Sequence, residues 1–420
     1  MITRVDADAS AAAWARAESL ARGAEYRATV VEFELGFIVT TTPVRRTSSP
    51  DEIGAGSSVI DRATGRVSTW PSWPSDTLER VYGEQRAAVV DPPRTADPEV
   101  QLRREARRRV APGVAAHATV EGRVHIARGA KGDQKLNHHR LVLERLAEQT
   151  PQQTVRGCER HAEMIVCSDV LHEADRKRAL DGRTPLTLDE ARELLGAAQF
   201  ETFQIREAGD PLGGRPNDPC ETCVYVLTQL RLLPWDAVAA LHDNPVTPTP
   251  SPDPERFSDV VASELRRGGW KADVAPAFAV SLAEFETENV VKVHGREHRH
   301  QAFPAMIEAL AQTAGTVVIH RHAPGLEQRS RVVYIGPAFA QHSADVLHDF
   351  GQVIGARLFP IGSINNESIL AIDERGRIFD LDQAGEWFIA DSFGEALETL
   401  VVGYRTYRVT DDGTWGPGED

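Results

Sequence analysis

Two short stretches, His161-Ala162-Glu163 and Pro219-Cys220-Glu221-Thr222-Cys223, stand out in this 420-residue chain. Two cysteines three positions apart at the start of a helix, which a preceding proline favours, present both thiolates on one side. With one imidazole they leave the fourth position of a tetrahedral zinc site open for water. A carboxylate two residues beyond the imidazole is then free to transfer protons. The predicted zinc ligands are His161, Cys220 and Cys223, and the predicted catalytic residue is Glu163.

The other cysteines leave an alternative open. Cys158, three residues before His161, would complete a closed site of three cysteines and one histidine, which would stabilise the fold and catalyse nothing. Whether Cys158 also binds zinc therefore stays undecided at this stage. Cys167 lies in an apolar stretch, where a small buried hydrophobic residue is expected.

Length and composition predict several soluble domains. A chain of 420 residues exceeds the size of one ordinary hydrophobic core. Two proline-rich polar segments, 91–98 and 244–254, are typical of linkers. We therefore expect domains at residues 1–90, 100–245 and 255–408.

The same features predict a location for the protein. The sequence has no apolar run of about 18 to 20 residues, and its first ten residues include acids where a secretory signal would be basic and then apolar. Four cysteines are too few for a disulfide framework. We expect a cytoplasmic protein without a membrane partner.

Charge separates the middle of the chain from its C-terminal part. The net charge is −15, yet residues 101–250 hold 21 basic and 21 acidic side chains, whereas residues 251–420 hold 15 and 26. An acidic surface repels nucleic acid, so any contact with a polyanion is expected in the middle part. A basic run at residues 103–109 is one candidate, although such runs are more often solvated helix faces.

Periodicity in the middle part predicts an α/β layer fold. Strands are expected at Val120–Ile126 and Thr202–Arg206. Helices are expected at 141–148, 161–174 and 188–198.

On the two zinc-type motifs, residues 100–245 resemble the bacterial YwqJ-type deaminases of the cytidine deaminase-like superfamily, a branch associated with polymorphic toxin systems. The resemblance implies a mixed sheet with helices on both faces, a bound Zn²⁺ and hydrolytic removal of an amino group. The substrate would be a nucleobase in a nucleotide, a nucleoside or a nucleic acid. The loop after an early strand lines the pocket in deaminases, which here suggests Arg128, Lys131, Asn137 and His138 as substrate-binding residues; a mobile basic loop is the equal alternative.

The flanking parts resemble immunity-protein families. Residues 255–408 contain a hairpin at Asp373–Ile378 and a final helix at 393–402, and resemble the SUKH-3 immunity family, which implies a domain that binds a protein partner. Residues 1–90 contain a helix, strands and an Asp-to-Gly hairpin at Ile60–Val67, and resemble the YrhB or immunity-protein-35 modules. Five histidines of the C-terminal part are expected on a solvated surface: His294, His298, His300, His320 and His322.

The whole chain is thus predicted to be an α/β and α+β multidomain protein, with a central cytidine deaminase-like α/β/α layer between two small α+β modules. Two functions remain in competition. The first is an active zinc deaminase with attached immunity-type modules. The second is a non-catalytic interaction scaffold, in which zinc only stabilises a degenerate deaminase fold. The sequence also leaves open whether the SUKH-like domain inhibits in cis or binds another protein.

Overall fold

The computed structural model describes residues 1–22, 24–45, 57–70, 73–89, 98, 102, 111–133, 135–207, 209–239, 257–271 and 274–416. These residues form helices and three separate sheets, which is the mixed α/β organisation predicted above. The predicted linkers, apart from Pro98, and the basic run at 103–109 lie outside the described residues.

The N-terminal unit is a four-stranded antiparallel meander with one helix on each face. Because side chains alternate along a strand, Phe37 and Val39 of the second strand pack with Trp14 of the first helix, while Ile38 packs with Tyr82 of the second helix. The predicted hairpin at Ile60–Val67 is confirmed. The elements are α1 Arg4–Arg22, β1 Tyr26–Phe33, β2 Gly36–Pro43, β3 Ser57–Asp61, β4 Val67–Trp70 and α2 Ser75–Val89.

A buried carboxylate holds that hairpin. Asp61 is 0% exposed and accepts hydrogen bonds from the Tyr82 hydroxyl (2.8 Å), the Arg86 guanidinium (2.8 Å) and the backbone N–H groups of Ala63 and Thr64. Burial raises the pKa of Asp61, but these hydrogen bonds outweigh it and lower the pKa to about 2. The turn between β3 and β4 is thereby tied to α2.

The middle unit contains a three-stranded sheet in the order β6, β5, β7, covered by helices. The described strands pair only antiparallel, so the mixed pairing implied by the resemblance is not seen among them. The long helix α4 packs on β5 and β6. The elements are β5 Gly113–Val120, β6 Arg123–Arg128, α3 Arg140–Leu146, α4 Ala162–Leu180, α5 Leu188–Gly196, β7 Gln199–Ile205, α6 Glu221–Gln229 and α7 Asp236–Ala239.

One strand prediction in this unit was wrong. The stretch Val120–Ile126 is not a single strand, because Glu121 and Gly122 adopt positive φ angles of 50° and 77° and turn the chain between β5 and β6. The apolar alternation on both sides of this turn conceals it. The helices predicted at 141–148, 161–174 and 188–198 are confirmed within a few residues.

The C-terminal unit is a seven-stranded antiparallel sheet in the order β14, β13, β12, β11, β10, β9, β8. Successive residues of the strand 369–373 point to opposite faces of the sheet and belong to two different cores. Leu370 and Ile372 pack in the core on one face, while Ile369 and Ala371 pack against the helix Ala344–Ile354 on the other. The elements are α8 Asp259–Arg267, α9 Pro276–Val291, α10 Pro304–Thr313, β8 Val317–Ile319, β9 Val333–Ile335, α11 Ala344–Ile354, β10 Leu358–Ile364, β11 Ile369–Asp373, β12 Ile378–Asp382, β13 Gly385–Ala390, α12 Phe393–Glu398 and β14 Tyr407–Arg408.

Apolar side chains near or beyond the predicted domain boundaries pack into the neighbouring cores. Trp415, beyond the predicted end at 408, packs on Phe379 and Phe388 of the C-terminal core. Before the middle sheet, Leu102 belongs to the N-terminal core and Ala111 to a C-terminal core. The segment that leads into β5 therefore contributes apolar side chains to both flanking units.

The predicted solvated surface of histidines was wrong for at least two of them. His300 is 4% exposed and its Nε2 is 2.9 Å from the carbonyl oxygen of Gln341. His322 contacts Glu221 of the middle unit. Both side chains have polar partners far away in the sequence, which local spacing does not reveal.

Among the described helices, none combines the length and the apolar character needed to span a bilayer.

We expect Asp61→Asn to loosen the β3–β4 turn. The folded carboxylate has a lower pKa than the unfolded one, at about 3.9, so its contribution is present above about pH 4 and is lost as the pH falls toward 2. Arg86 is 33% exposed, so water screens part of this interaction, and we expect the substitution to lower the free energy of unfolding by about 1 to 2 kcal/mol. Hydrogen exchange at the amides of Ala63 and Thr64 measures it. The control is Asp8→Asn, in an exposed pair; equal protection in D61N and wild type at pH 7 would contradict the assignment.

Candidate metal and active site

The first motif lies at the beginning of α4. Gly157, with φ 65°, starts a short 3₁₀ turn over Cys158–Arg160, and His161 follows as the N-cap of α4. The carbonyl of His161 accepts the helical bonds from Met164 and Ile165. The imidazole therefore stands at the end of a helix whose free N–H groups carry partial positive charge.

The second motif has the same construction at the beginning of α6. Cys220 is the N-cap of this helix, and its carbonyl accepts a hydrogen bond from Val224. Pro219 thus lies just outside the helix rather than in its first turn. Cys223 lies within the first turn of α6, so both thiols face the same direction as the sequence spacing predicts.

These two helix ends bring the three predicted ligands together. The Nδ1 atom of His161 lies 3.4 Å from the Sγ atom of Cys220 and 3.5 Å from that of Cys223. Usual zinc–sulfur and zinc–nitrogen lengths at a tetrahedral angle give a sulfur–nitrogen separation of about 3.6 Å. The donor types and their spacing therefore fit Zn²⁺, and the three residues are at most 4% exposed.

Glu163 lies beside this group and is completely buried. Neither carboxylate oxygen has a hydrogen-bond partner among the described residues. A buried carboxylate without a partner is costly, so it indicates a ligand or a reacting group. Burial raises the pKa of Glu163 to about 7, against the opposing effect of His161.

The charges of the cluster favour metal binding. Burial raises the pKa of Cys220, but the hydrogen bond from Cys223 and the charge of His161 outweigh it and bring the pKa well below its usual value. The thiolate is therefore favoured on Cys220, at the beginning of α6, while burial and the neighbouring Cys220 raise the pKa of Cys223. Zinc requires thiolates, so metal binding would release the remaining proton.

Cys158 lies outside the compact group of three ligand atoms, although it is buried close to Cys220. Burial raises the pKa of its thiol well above the ordinary range. Cys167 is 0% exposed in the core of the middle unit, as its apolar surroundings predict.

The predicted substrate-binding residues lie in different surroundings. Lys131 is 2% exposed, and its ammonium is 3.4 Å from the carbonyl oxygen of Ala111. His138 is also buried, with Nε2 2.6 Å from the carbonyl oxygen of Glu159. Arg128 is half-buried and Asn137 exposed. The contact of His138 braces the backbone just before the first motif, and that of Lys131 reaches the segment that leads into β5. A role for the four residues in substrate binding remains a prediction.

The helix α5 contacts the end of α6 that is away from the cysteines, where the Arg192 guanidinium donates to the carbonyl of Gln229, the last residue of that helix.

Sequence reasoning missed the residue between the two cysteines. Glu221 is 8% exposed and contacts the imidazole of His322 from the C-terminal unit. The guanidinium groups of Arg329 and Arg331 lie 3.9 Å and 3.8 Å from its carboxylate. Burial raises the pKa of Glu221, but the charge of Arg331 and the hydrogen bond with His322 outweigh it and lower the pKa to about 2. The partners are about 100 residues further along, so no local pattern identifies them.

Comparison with known families agrees with the three resemblances. Residues 98–232 match the family model of the YwqJ-like deaminases, residues 257–403 that of the SUKH-3 immunity proteins, and residues 11–88 that of the immunity protein 35-like domain. No curated protein and no solved structure gave a significant match to the chain. The suspected architecture of a deaminase flanked by two immunity-type domains is thus confirmed.

The geometry predicts which cysteines are needed for the metal. Cys158→Ser should keep one zinc per chain, because three protein ligands complete an open site, whereas Cys220→Ser or Cys223→Ser should lose it. Metal analysis of protein purified without chelator measures this, and Cys167→Ser serves as the control for a buried cysteine in the core. Loss of zinc from C158S with an intact fold would establish the closed site instead.

Proposed function

We propose that the middle part of the chain is a zinc-dependent hydrolytic deaminase acting on a nucleobase in a nucleotide, a nucleoside or a nucleic acid. The observation that supports it is Glu163, a buried carboxylate without a protein partner next to one imidazole and two thiols. The match to a deaminase family model agrees with this proposal.

His161, Cys220 and Cys223 would hold Zn²⁺ in this site. The ion, when bound, supplies a water molecule that loses a proton far more readily than bulk water. The overall reaction adds water to the amine-bearing ring carbon, breaks the C–N bond and releases ammonia.

The protein contributes the proton transfers. Glu163 would take one proton from water and deliver it to the ring nitrogen. It would then carry the second proton, from the hydroxyl formed on the ring carbon, to the departing amine. A pKa of about 7 gives both of its protonation states near neutral pH, which suits a group that accepts and then donates a proton. The backbone N–H of Ala162, at the beginning of α4, would donate to a carbonyl on the base.

The flanking domains fit a role in polymorphic toxin systems. The SUKH-3 match supports a protein-binding role for residues 257–403. The protein partner, the cytoplasmic location and the identity of the base belong to this proposal. The alternative, a scaffold with structural zinc, is favoured by one observation, the buried Cys158 beside Cys220.

We expect Glu163→Gln to retain zinc and to lower deamination at least a hundredfold, because the amide cannot carry the proton. Zinc content and ammonia release from nucleosides, nucleotides and single-stranded nucleic acids are measured side by side. The matched control is Glu193→Gln, an exposed position on α5. If the zinc-loaded protein and its Gln383→Arg variant both release no ammonia from any of these substrates, the result would favour the scaffold.

A further inference from the structure

The C-terminal unit lies directly over the two helix ends that form the site. Its residues His322, Arg329 and Arg331 surround Glu221, which belongs to the Cys-x-x-Cys segment itself. Arg331 also pairs with Glu367 of the same unit at 2.8 Å. The residue between the metal ligands is therefore neutralised by cations of another domain.

A second set of contacts joins the turn before α4 to β12. The guanidinium of Arg156 contacts the carboxylate of Asp380, lies 3.5 Å from that of Asp382 and stacks over the ring of Trp387 at 5.0 Å. At the end of β7, Arg206 donates to the carbonyl oxygens of Asn366 and Glu367. The two units thus meet through buried, complementary charges on both sides of the site.

The turn between β12 and β13 reaches furthest into the middle unit. The Oε1 atom of Gln383 accepts a hydrogen bond of 3.3 Å from the N–H of Ala162, between the predicted ligand His161 and Glu163. The side chain of Gln383 is almost fully buried there.

Two glycines of the middle unit make room for this turn. A Cβ atom at Gly129 would lie 2.5 Å from the carbonyl oxygen of Gln383, and one at Gly157 would lie 2.8 Å from the Cβ of Ala384. Gly129 belongs to the loop expected to line the substrate pocket, and Gly157 precedes the first motif. The turn therefore packs against both the predicted substrate loop and the segment that leads into α4.

The chemistry of Gln383 resembles that of the proposed substrate. A carboxamide presents one carbonyl acceptor and one amino group, the two kinds of polar group on the edge of an amine-bearing pyrimidine. The side-chain carbonyl of Gln383 accepts the hydrogen bond from the N–H of Ala162, which in the proposed reaction would donate to the carbonyl of the base. With this side chain in place, Glu163 and the three predicted ligands are at most 4% exposed.

We infer that the C-terminal unit is a built-in inhibitor of the deaminase site, with the Gln383 carboxamide in the place of the base. This inference rests on the proposed function for the nature of the blocked reaction. The covering of the site by the C-terminal unit rests on the contacts between the two units and does not depend on which reaction is blocked. A cavity of about 40 Å³, lined by residues of both units such as Arg156 and Glu367, has room for water in the interface. Polar interdomain interfaces of this kind allow the domains to separate.

The test is opening of the site in the full-length, zinc-loaded protein. Gln383→Arg places a longer charged side chain against Gly129 and Ala162 and should force the turn out. We expect zinc removal by 4-(2-pyridylazo)resorcinol to accelerate at least tenfold, and ammonia release to rise with it. The matched control is Arg357→Ala, which removes an ion pair with Glu374 on the exposed surface of the same unit.

A charge swap tests the closure without crowding the core. Arg408 pairs with Asp133 across the interface at 2.8 Å, and both are partly exposed, so neither change should unfold the protein. Arg408→Glu should accelerate zinc removal several-fold, and adding Asp133→Arg should bring the rate back toward that of wild type.

The outcomes separate the two proposals. Equal rates of zinc removal in wild type, Q383R and R408E, with folding verified by circular dichroism, would overturn the built-in inhibitor. Equal ammonia release that is measurable in all of these proteins would overturn it as well. Faster zinc removal with no ammonia released by any variant would support the closure and refute the deaminase.

Discussion

The meeting of two helix ends is the constraint on which the site depends. His161 and Cys220 are the N-caps of α4 and α6, and their ligand atoms lie 3.4 Å apart. The first N–H groups of a helix carry partial positive charge, and at the beginning of α4 one of them donates to the carbonyl of Gln383. At the beginning of α6, Cys223 and His161 favour a thiolate at Cys220. The packing of α4 against β5 and β6 sets the position of one end, and its contact with α6 sets the other.

Short-range chemistry could be predicted from the sequence, and long-range pairing could not. The spacing of His161 with Glu163 and of Cys220 with Cys223 indicates a site because each pair shares one helix end. Glu221 carries no such signal, since its neutralising cations stand about 100 residues away. The contact of Gln383 could not be predicted from the sequence either, because it depends on how the β12–β13 hairpin packs on the middle unit. The turn within Val120–Ile126 was not predicted for a local reason. Glu121 adopts a positive φ angle there, which a residue with a side chain seldom does.

Net charge was a coarse guide to what the C-terminal unit contacts. Its excess of acids argues against nucleic acid, yet the surface that faces the metal helix is formed by His322, Arg329 and Arg331. On the other side of the site the signs are reversed, with Arg156 of the middle unit against Asp380 and Asp382. Buried charges of this kind add little net stability, but a mismatched partner would leave them uncompensated. The charged residues of the interface therefore favour one relative orientation of the two units over others.

The position of Gln383 late in the chain has a consequence for biosynthesis. About 160 residues separate it from Cys223, which corresponds to roughly 10 to 30 seconds of translation at about 5 to 20 residues per second. During that interval the ligands of the nascent middle unit are not yet covered by β12 and β13. Under the proposed function, the order of synthesis provides a window in which Zn²⁺ can enter the site before the C-terminal unit covers it. The proposed inhibitor is likewise not yet in place in a newly made molecule.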